Sequence, residues 1–148
     1  MNELTAGKSG SFQGKEHVWP VRVYYEDTDA AGIVYYANYL KYVERARTEL
    51  LRALGIESSR LMADQGFAFA VRHLSADFQK PAKLDDLLHV RSKLLAVKGA
   101  SLAADQRVQR DGEDLVVFDF RLACMGMDGN PARMPKDIQA LLKKYETQ

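Results

Sequence analysis

Four strand-like segments follow one another in the second half of the 148-residue chain, and they constrain its fold most strongly. Apolar and polar residues alternate in them, and the intervening Asp111-Gly112 is typical of a two-residue hairpin turn. The segments cover residues 66–78, 87–97, 101–109 and 114–127. They predict an antiparallel meander of four consecutive strands. In the first, the apolar parity changes between Val71 and Leu74, which predicts a β-bulge.

One amphipathic helix is predicted before these strands, from about residue 38 to residue 54. Its apolar residues recur at spacings of three and four, Asn38 is a suitable N-cap and Gly55 ends the pattern. An earlier strand is predicted from Val18, and a short C-terminal helix from Pro135. The sequence therefore predicts an α+β fold, with a long central helix packed on a five-stranded antiparallel sheet.

Charge and composition exclude several classes of partner. The chain has 21 Lys and Arg residues against 20 Asp and Glu residues, a net charge of +1, so no global field attracts nucleic acid. No apolar run approaches the roughly 18 residues of a membrane helix, so we expect no membrane insertion. The single cysteine, Cys124, is expected in the core and fits a cytoplasmic location.

The first 17 residues differ in composition from the rest of the chain. They are rich in glycine, serine and charge and show no periodicity, which predicts a flexible N-terminal tail. Residues 18–148 are then expected to form a single domain, since this length suffices for one hydrophobic core.

The sequence contains none of the common nucleotide-binding or zinc-protease motifs. The three histidines, at positions 17, 73 and 89, lie far apart, so we expect no metal site. His73, Ser75 and Asp77 share one strand face, and we favour a solvent or interface role over catalysis for that face. Glu44 is interpreted as a structural residue that pairs one turn along the helix.

An acidic stretch joins the first strand to the helix, with Glu26, Asp27 and Asp29 close together and Gly32 after them. One interpretation is a solvated turn, because such side chains bond nearby backbone N–H groups. The other is an active site. The free N–H groups at a helix N-terminus are a natural site for an oxyanion. A carboxylate beside them either attacks an activated acyl group or deprotonates a water.

The stretch "VRVYYEDTDAAGIVYYANYLKYVERARTELL" resembles the hotdog-fold acyl-CoA thioesterases of the 4-hydroxybenzoyl-CoA thioesterase type. It is especially similar to their branch associated with the bacterial Tol-Pal system. The resemblance continues through "ADFQKPAKLDDLLHVRSKL" and "KGASL" to about residue 142. It implies an acyl-CoA thioesterase of the hotdog fold that needs no cofactor, since coenzyme A is part of the substrate.

The resemblance also implies roles for individual residues. Asp29 matches the family's catalytic aspartate, as nucleophile or general base, and the Tyr36 N–H matches the donor that polarises the thioester carbonyl. Position 36 is commonly histidine in the Tol-Pal-associated branch, whereas this chain has tyrosine there, as the 4-hydroxybenzoyl-type enzymes do. Lys98 and Ser101 stand where the family meets the nucleotide end of coenzyme A. The remaining residues expected beside the substrate are Gly32, Tyr35, Asn38 and Phe67.

Partners and substrate are only partly implied. The family pairs protomers to extend the sheet, so a homodimer or tetramer with sites at the interface is expected. We expect a short-chain aliphatic or hydroxybenzoyl-like acyl group, carried by coenzyme A or, as an alternative, by acyl carrier protein. A hydratase is disfavoured because no histidine lies near Asp29. A catalytically silent acyl-CoA or acyl-carrier-protein binding scaffold remains the alternative.

Overall fold

The computed structural model describes residues 7–148, and the first six residues of the predicted tail lie outside this range. Six strands and three α-helices make up the fold. In chain order they are β1 (Ser11–Gln13), β2 (Glu16–Arg22), α1 (Asn38–Ala53), α2 (Leu61–Gln65), β3 (Phe67–Phe78), β4 (Leu87–Val97), β5 (Ser101–Arg110), β6 (Glu113–Gly126) and α3 (Lys136–Lys143).

All six strands form one antiparallel sheet in the order β1-β2-β4-β5-β6-β3. The predicted five-stranded sheet is therefore wrong in strand number. The meander prediction holds for β4, β5 and β6, but β3 pairs with β6 rather than with β4. Strand β2 occupies the place beside β4, so β3 is left as an edge strand of the sheet.

The extra strand comes from the region predicted to be a flexible tail, and that prediction is wrong from residue 11 onwards. Strand β1 pairs with β2 through a tight turn at Gly14, whose φ of +62° suits glycine. His17, placed by this hairpin, is fully buried against Phe12. Local pairing and the burial of these two rings order a segment whose composition resembles that of a disordered tail.

Helix α1 occupies the predicted segment, but it is short compared with the sheet. Its 16 residues span about 24 Å, whereas the 14 residues of β6 span about 46 Å, so the expected long central helix is corrected. Asn38 does not cap the helix. Its side-chain amide instead donates to the Asp27 carbonyl at 2.8 Å, and Ala37 takes the cap position.

The core lies between α1 and one face of the sheet. Tyr42, Val43 and Ala46 on the helix are buried, as are Phe118 and Phe120 on β6. Cys124, also on β6, is in the core as predicted, and burial raises the pKa of its thiol to about 11. Packing against α1 thus uses one face of each central strand, and the other face carries the polar residues.

Three local predictions are confirmed. The register of β3 against β6 shifts between Val71 and His73, where the parity of the sequence changes. Asp111 and Gly112 adopt φ values of +52° and +80° in the turn between β5 and β6, as a type I′ hairpin requires. Pro135 stands at the N-cap of α3, where its missing N–H costs no hydrogen bond.

Within residues 7–148, none of the helices combines the length and the apolar character that crossing a membrane requires.

His17 predicts a pH dependence of stability. Its Nε2–H donates to the Ser9 carbonyl at 2.6 Å, while Nδ1 is buried with no partner in the part of the chain described. Burial lowers the pKa of His17 below 6.5, although the Ser9 carbonyl and Glu49 oppose this. The unfolded chain therefore binds a proton more readily than the folded protein. We expect stability to fall as pH drops below about 6.5.

Urea unfolding at pH 7.5 and pH 5.5 measures this effect. The unfolding midpoint should fall more in the wild type than in His17→Gln, which lacks the titrating ring. His89→Gln is the matched control on the polar sheet face, and it should behave like the wild type. An equal fall in wild type and His17→Gln would contradict the assignment to His17.

Candidate active site

The segment between β2 and α1 folds back on itself and presents Asp29 at its tip. Thr28 and Val34 form an antiparallel bridge, and the Asp29 N–H donates to the Ile33 carbonyl at 2.9 Å. Gly32 closes the turn by donating to the Asp29 carbonyl at 3.0 Å. Its φ of +79° lies in the left-handed region, which glycine adopts without strain.

The Asp29 carboxylate is held by the turn it starts. One of its oxygens, Oδ1, accepts a hydrogen bond from the Ala31 N–H at 2.9 Å. The residue is exposed in the single chain. The second oxygen makes no hydrogen bond within residues 7–148. A fixed, accessible carboxylate oxygen is what a nucleophile or general base requires.

Asp27 has a structural role in the same loop. Its Oδ2 accepts from the Tyr24 N–H at 2.8 Å, and its carbonyl accepts from the Tyr35 N–H and the Asn38 side chain. These bonds tie the acidic turn to the start of α1. Burial raises the pKa of Tyr42, and the Asp27 carboxylate raises it further. The two aspartates are therefore distinct: one builds the loop and the other projects from it.

Tyr36 precedes α1 and offers an unused backbone donor. Its N–H and that of Ala37 find no acceptor in residues 7–148, whereas the Asn38, Tyr39 and Leu40 N–H groups all have one. The Tyr36 ring lies edge-on to Phe78, with centroids 6.0 Å apart. Free N–H groups at the start of a helix carry partial positive charge and can hold an oxyanion. The loop thus brings a carboxylate and free donors to the same end of α1.

A cavity of about 290 Å³ lies beneath the second half of α1. Its wall is mostly apolar and includes Phe69 and Val71 from β3, while Glu44, Arg47 and Thr48 enter from the helix. Phe69 and Phe78 are nine residues apart on β3, which corresponds to about 30 Å. The cavity and the Tyr36 end of the loop therefore lie at opposite ends of β3 in a single chain.

Lys98 and Ser101 line a separate groove of about 410 Å³. Arg72 and His73 from β3 and Arg121 from β6 line it as well, so it carries three basic side chains and a histidine. The loop before β5 is fixed by hydrogen bonds from the Lys98 N–H to the Ser101 carbonyl and from the Met134 N–H to the Gly99 carbonyl. Such a groove suits phosphate groups.

The predicted site residues thus fall into three places. Asp29, Gly32, Tyr35, Tyr36 and Asn38 come together in the loop. Lys98 and Ser101 lie in the basic groove, which none of the loop residues lines. Phe67 is fully buried in the core against Phe69 and reaches neither the loop nor the cavity wall, so its expected position beside the substrate is not found in the single chain.

Sequence reasoning missed Arg47 and Phe78. Phe78 was seen only as a strand residue, and its contact with Tyr36 depends on tertiary structure. Arg47 stands next to the apolar stripe of α1, a position that indicates partial burial. Glu44 pairs with the Thr48 hydroxyl at 3.4 Å, as its structural interpretation predicts. In residues 7–148, no group of three or more His, Cys, Asp or Glu side chains is placed to hold a metal.

Comparisons with known proteins identify the family. The model of the thioesterase-like superfamily matches residues 23–142. The "Acyl-CoA thioesterase YbgC" of Haemophilus influenzae is 45% identical over 123 residues, covering 82% of this chain and 90% of that protein. The "Acyl-CoA thioester hydrolase YbgC" of Escherichia coli O6:H1 is 40% identical over 129 residues, covering 85% and 95%.

The solved structures agree with the sequence comparisons. A probable thioesterase from Bartonella henselae superposes with a TM-score of 0.77 at 34% identity, covering 81% of this chain and 99% of that one. The antiparallel sheet with α1 packed on one face is thus the hotdog-type thioesterase fold. The chain belongs to the thioesterase-like superfamily, and it is a thioester hydrolase.

Proposed function

We propose that this protein is an acyl-CoA thioesterase, which converts R-CO-S-CoA and water into a carboxylic acid and free coenzyme A. The similarity to proteins named as acyl-CoA thioesterases supports the substrate class. The observation that carries the proposal is the loop before α1, which holds the Asp29 carboxylate and the unused Tyr36 N–H at the same helix end. We place the protein in the cytoplasm because its single cysteine fits a reducing compartment, and in the Tol-Pal-associated branch on the sequence resemblance.

Each half of the site has a chemical task. The Tyr36 N–H binds the thioester oxygen and stabilises the negative charge that develops on it as the carbonyl is attacked. Asp29 either attacks the carbonyl carbon itself, forming an anhydride that water then opens, or removes a proton from the attacking water. The sulfur of coenzyme A leaves and takes up a proton. No step in this proposal uses a metal or redox cofactor.

We propose that the working unit is a dimer, or a tetramer built from dimers, in which β3 pairs with β3 of a second protomer. This strand is a 12-residue edge of the sheet, and Val71, Leu74 and Phe78 on it are 45%, 38% and 49% exposed. Long apolar edges are normally covered. Antiparallel self-pairing would place the first half of the partner's β3 beside Phe78.

This pairing accounts for the distance between the loop and the cavity within a single chain. Tyr36 contacts Phe78 at one end of β3, and the apolar cavity opens around Phe69 at the other. Two-fold pairing joins the loop of one protomer to the cavity of the other, so the acyl group lies in the cavity while Asp29 meets the thioester. The basic groove at Lys98 is then available for the phosphates of coenzyme A.

The size of the cavity limits the acyl group. At about 290 Å³ it is roughly twice as large as an apolar cavity of about 150 Å³ that binds benzene. A short aliphatic or a hydroxybenzoyl-like acyl group fits this volume. The acyl carrier is coenzyme A in this proposal, and acyl carrier protein is the alternative. A catalytically silent binding scaffold is the rival function, and turnover separates it from an enzyme.

Release of free thiol from a panel of acyl-CoA thioesters tests the proposed function. We expect the wild-type protein to hydrolyse short aliphatic or aromatic thioesters and to act poorly on long ones, which exceed the cavity volume. The measurement is kcat/KM for butanoyl, hexanoyl, palmitoyl, benzoyl and 4-hydroxybenzoyl coenzyme A. If no member of the panel is hydrolysed while coenzyme A thioesters still bind, the binding scaffold replaces the enzyme.

A further inference from the structure

Arg47 places a cationic group in the wall of the mostly apolar cavity, and it forms no ion pair within residues 7–148. The residue lies on α1 beside the buried stripe, and its side chain lines the cavity together with Glu44, Thr48 and residues of β3. Within residues 7–148 no carboxylate lies within 4.0 Å of its guanidinium. Glu44, one turn earlier, is exposed and pairs with Thr48.

The contacts of Arg47 fix its position but leave most of its donors unused. Nη1 donates to Gln106 Oε1 at 2.9 Å, and the guanidinium carbon lies 4.2 Å from the centre of the Phe120 ring. Gln106 is itself held by the Val43 carbonyl and the Ser92 hydroxyl. An arginine carries five N–H donors, so one bond leaves the others available to a ligand.

Burying a cation in an apolar wall is costly unless something compensates for the lost water. Burial lowers the pKa of the Arg47 guanidinium, with Glu44 opposing this, yet an arginine stays protonated. The ring of Phe120 offsets part of that cost. A ligand oxygen that accepts from the free N–H groups would offset more, and the Gln106 network holds the guanidinium ready for it.

We infer that Arg47 selects acyl groups that have an apolar body and an oxygen acceptor at the distal end. The shared chemistry is an acceptor oxygen, supplied by an ω-carboxylate or by a hydroxyl on an aromatic ring. The unpaired charge favours the carboxylate, because charge-assisted hydrogen bonds are stronger than neutral ones. This inference rests on the proposed function, because it treats the cavity as the acyl site.

Matched pairs of thioesters test the inference: adipoyl against hexanoyl coenzyme A, and 4-hydroxybenzoyl against benzoyl coenzyme A. Within at least one pair, we expect the wild type to favour the oxygenated member in kcat/KM by about tenfold to a hundredfold, as a hydrogen bond to a charged group allows. Arg47→Met should bring the ratio of kcat/KM within that pair close to one. Arg45→Met, an exposed arginine of α1, is the control and should keep the preference.

Binding affinities test the inference even if Arg47→Met does not fold or the enzyme hydrolyses none of the four thioesters. Calorimetry gives the affinity of the same four thioesters for Asp29→Asn, where the cavity is intact. Equal affinity within both pairs would overturn the inference. So would a preference that survives Arg47→Met in kcat/KM. Failure of the wild type to hydrolyse any thioester overturns the proposed function instead, and the affinities then decide the role of Arg47 alone.

Discussion

Replacing Asp29 by asparagine should lower kcat/KM for thioester hydrolysis about a thousandfold, within the usual range for removing a general base. The neutral amide neither attacks the carbonyl carbon nor accepts a proton from water. It still accepts a hydrogen bond from the Ala31 N–H, so the turn itself is retained. The Tyr36 N–H also remains, and it accounts for the residual rate. Thiol release with the best substrate of the wild type measures the effect.

Glu26→Gln is the matched control for Asp29→Asn. Glu26 lies three residues earlier in the same loop and is exposed, and its side chain makes no hydrogen bond in the part of the chain described. Its removal should change kcat/KM less than threefold. Both variants need circular dichroism and size-exclusion profiles identical to those of the wild type. Full activity in Asp29→Asn would remove the carboxylate from the mechanism and return the acidic loop to a purely structural role.

Replacing Leu74 by arginine should break the proposed dimer and, with it, activity. Leu74 lies in the middle of the β3 edge, on the face shared with Phe120. Burial of a leucine contributes about 1.5–3 kcal/mol to the free energy of association. Because the dimer is two-fold symmetric, the substitution removes this contribution at two positions. The dissociation constant of the dimer should therefore rise at least about a hundredfold. Because the loop and the cavity then no longer meet, kcat/KM should fall in proportion to the dimer lost.

Leu87→Arg is the control for this prediction. Leu87 is 43% exposed, close to the 38% of Leu74, but it lies at the start of β4 beside β2 rather than on the free edge. It should leave the dimer and the activity in place. Analytical ultracentrifugation over a range of concentrations gives the dissociation constants. A monomeric Leu74→Arg that keeps full activity would show that one chain contains the whole site.

The sequence predicts best those features that depend on neighbouring residues. The apolar spacing of three and four placed α1 correctly, because an amphipathic stripe has to face the core. Asp111-Gly112 predicted its turn because few dipeptides tolerate two positive φ values. The change of parity in β3 revealed the bulge between Val71 and His73 for a similarly local reason.

The sequence does not show which strands pair across a long separation. Strand β3 has the same alternating pattern whether it lies beside β4 or β6, so the meander was extended one strand too far. The β1 hairpin was missed because its composition resembles a tail, while its order depends on Phe12 and His17 packing onto the sheet. Both errors arise from contacts that local propensity does not encode.

In the candidate site, too, residues that are close in sequence were predicted better than residues whose position depends on tertiary contacts. The loop residues Asp29, Gly32 and Tyr36 lie close together in sequence, so the resemblance to a family was sufficient to group them. Phe67 was grouped with them only by type, and its actual place is the core at the far end of β3. Arg47 was missed because its importance depends on the lack of a carboxylate partner, which only three-dimensional structure reveals.

The sheet order also has a kinetic consequence. Strand β3 is synthesised before β4 and β5, but its partner β6 is the last strand of the sheet, so the pair closes only after β4 and β5 have emerged. Such non-local pairing slows folding towards the millisecond to second range, because loop-closure entropy is lost before contacts form. Until then both edges of β3 are unpaired. We therefore expect nascent or truncated chains that lack β6 to aggregate through β3.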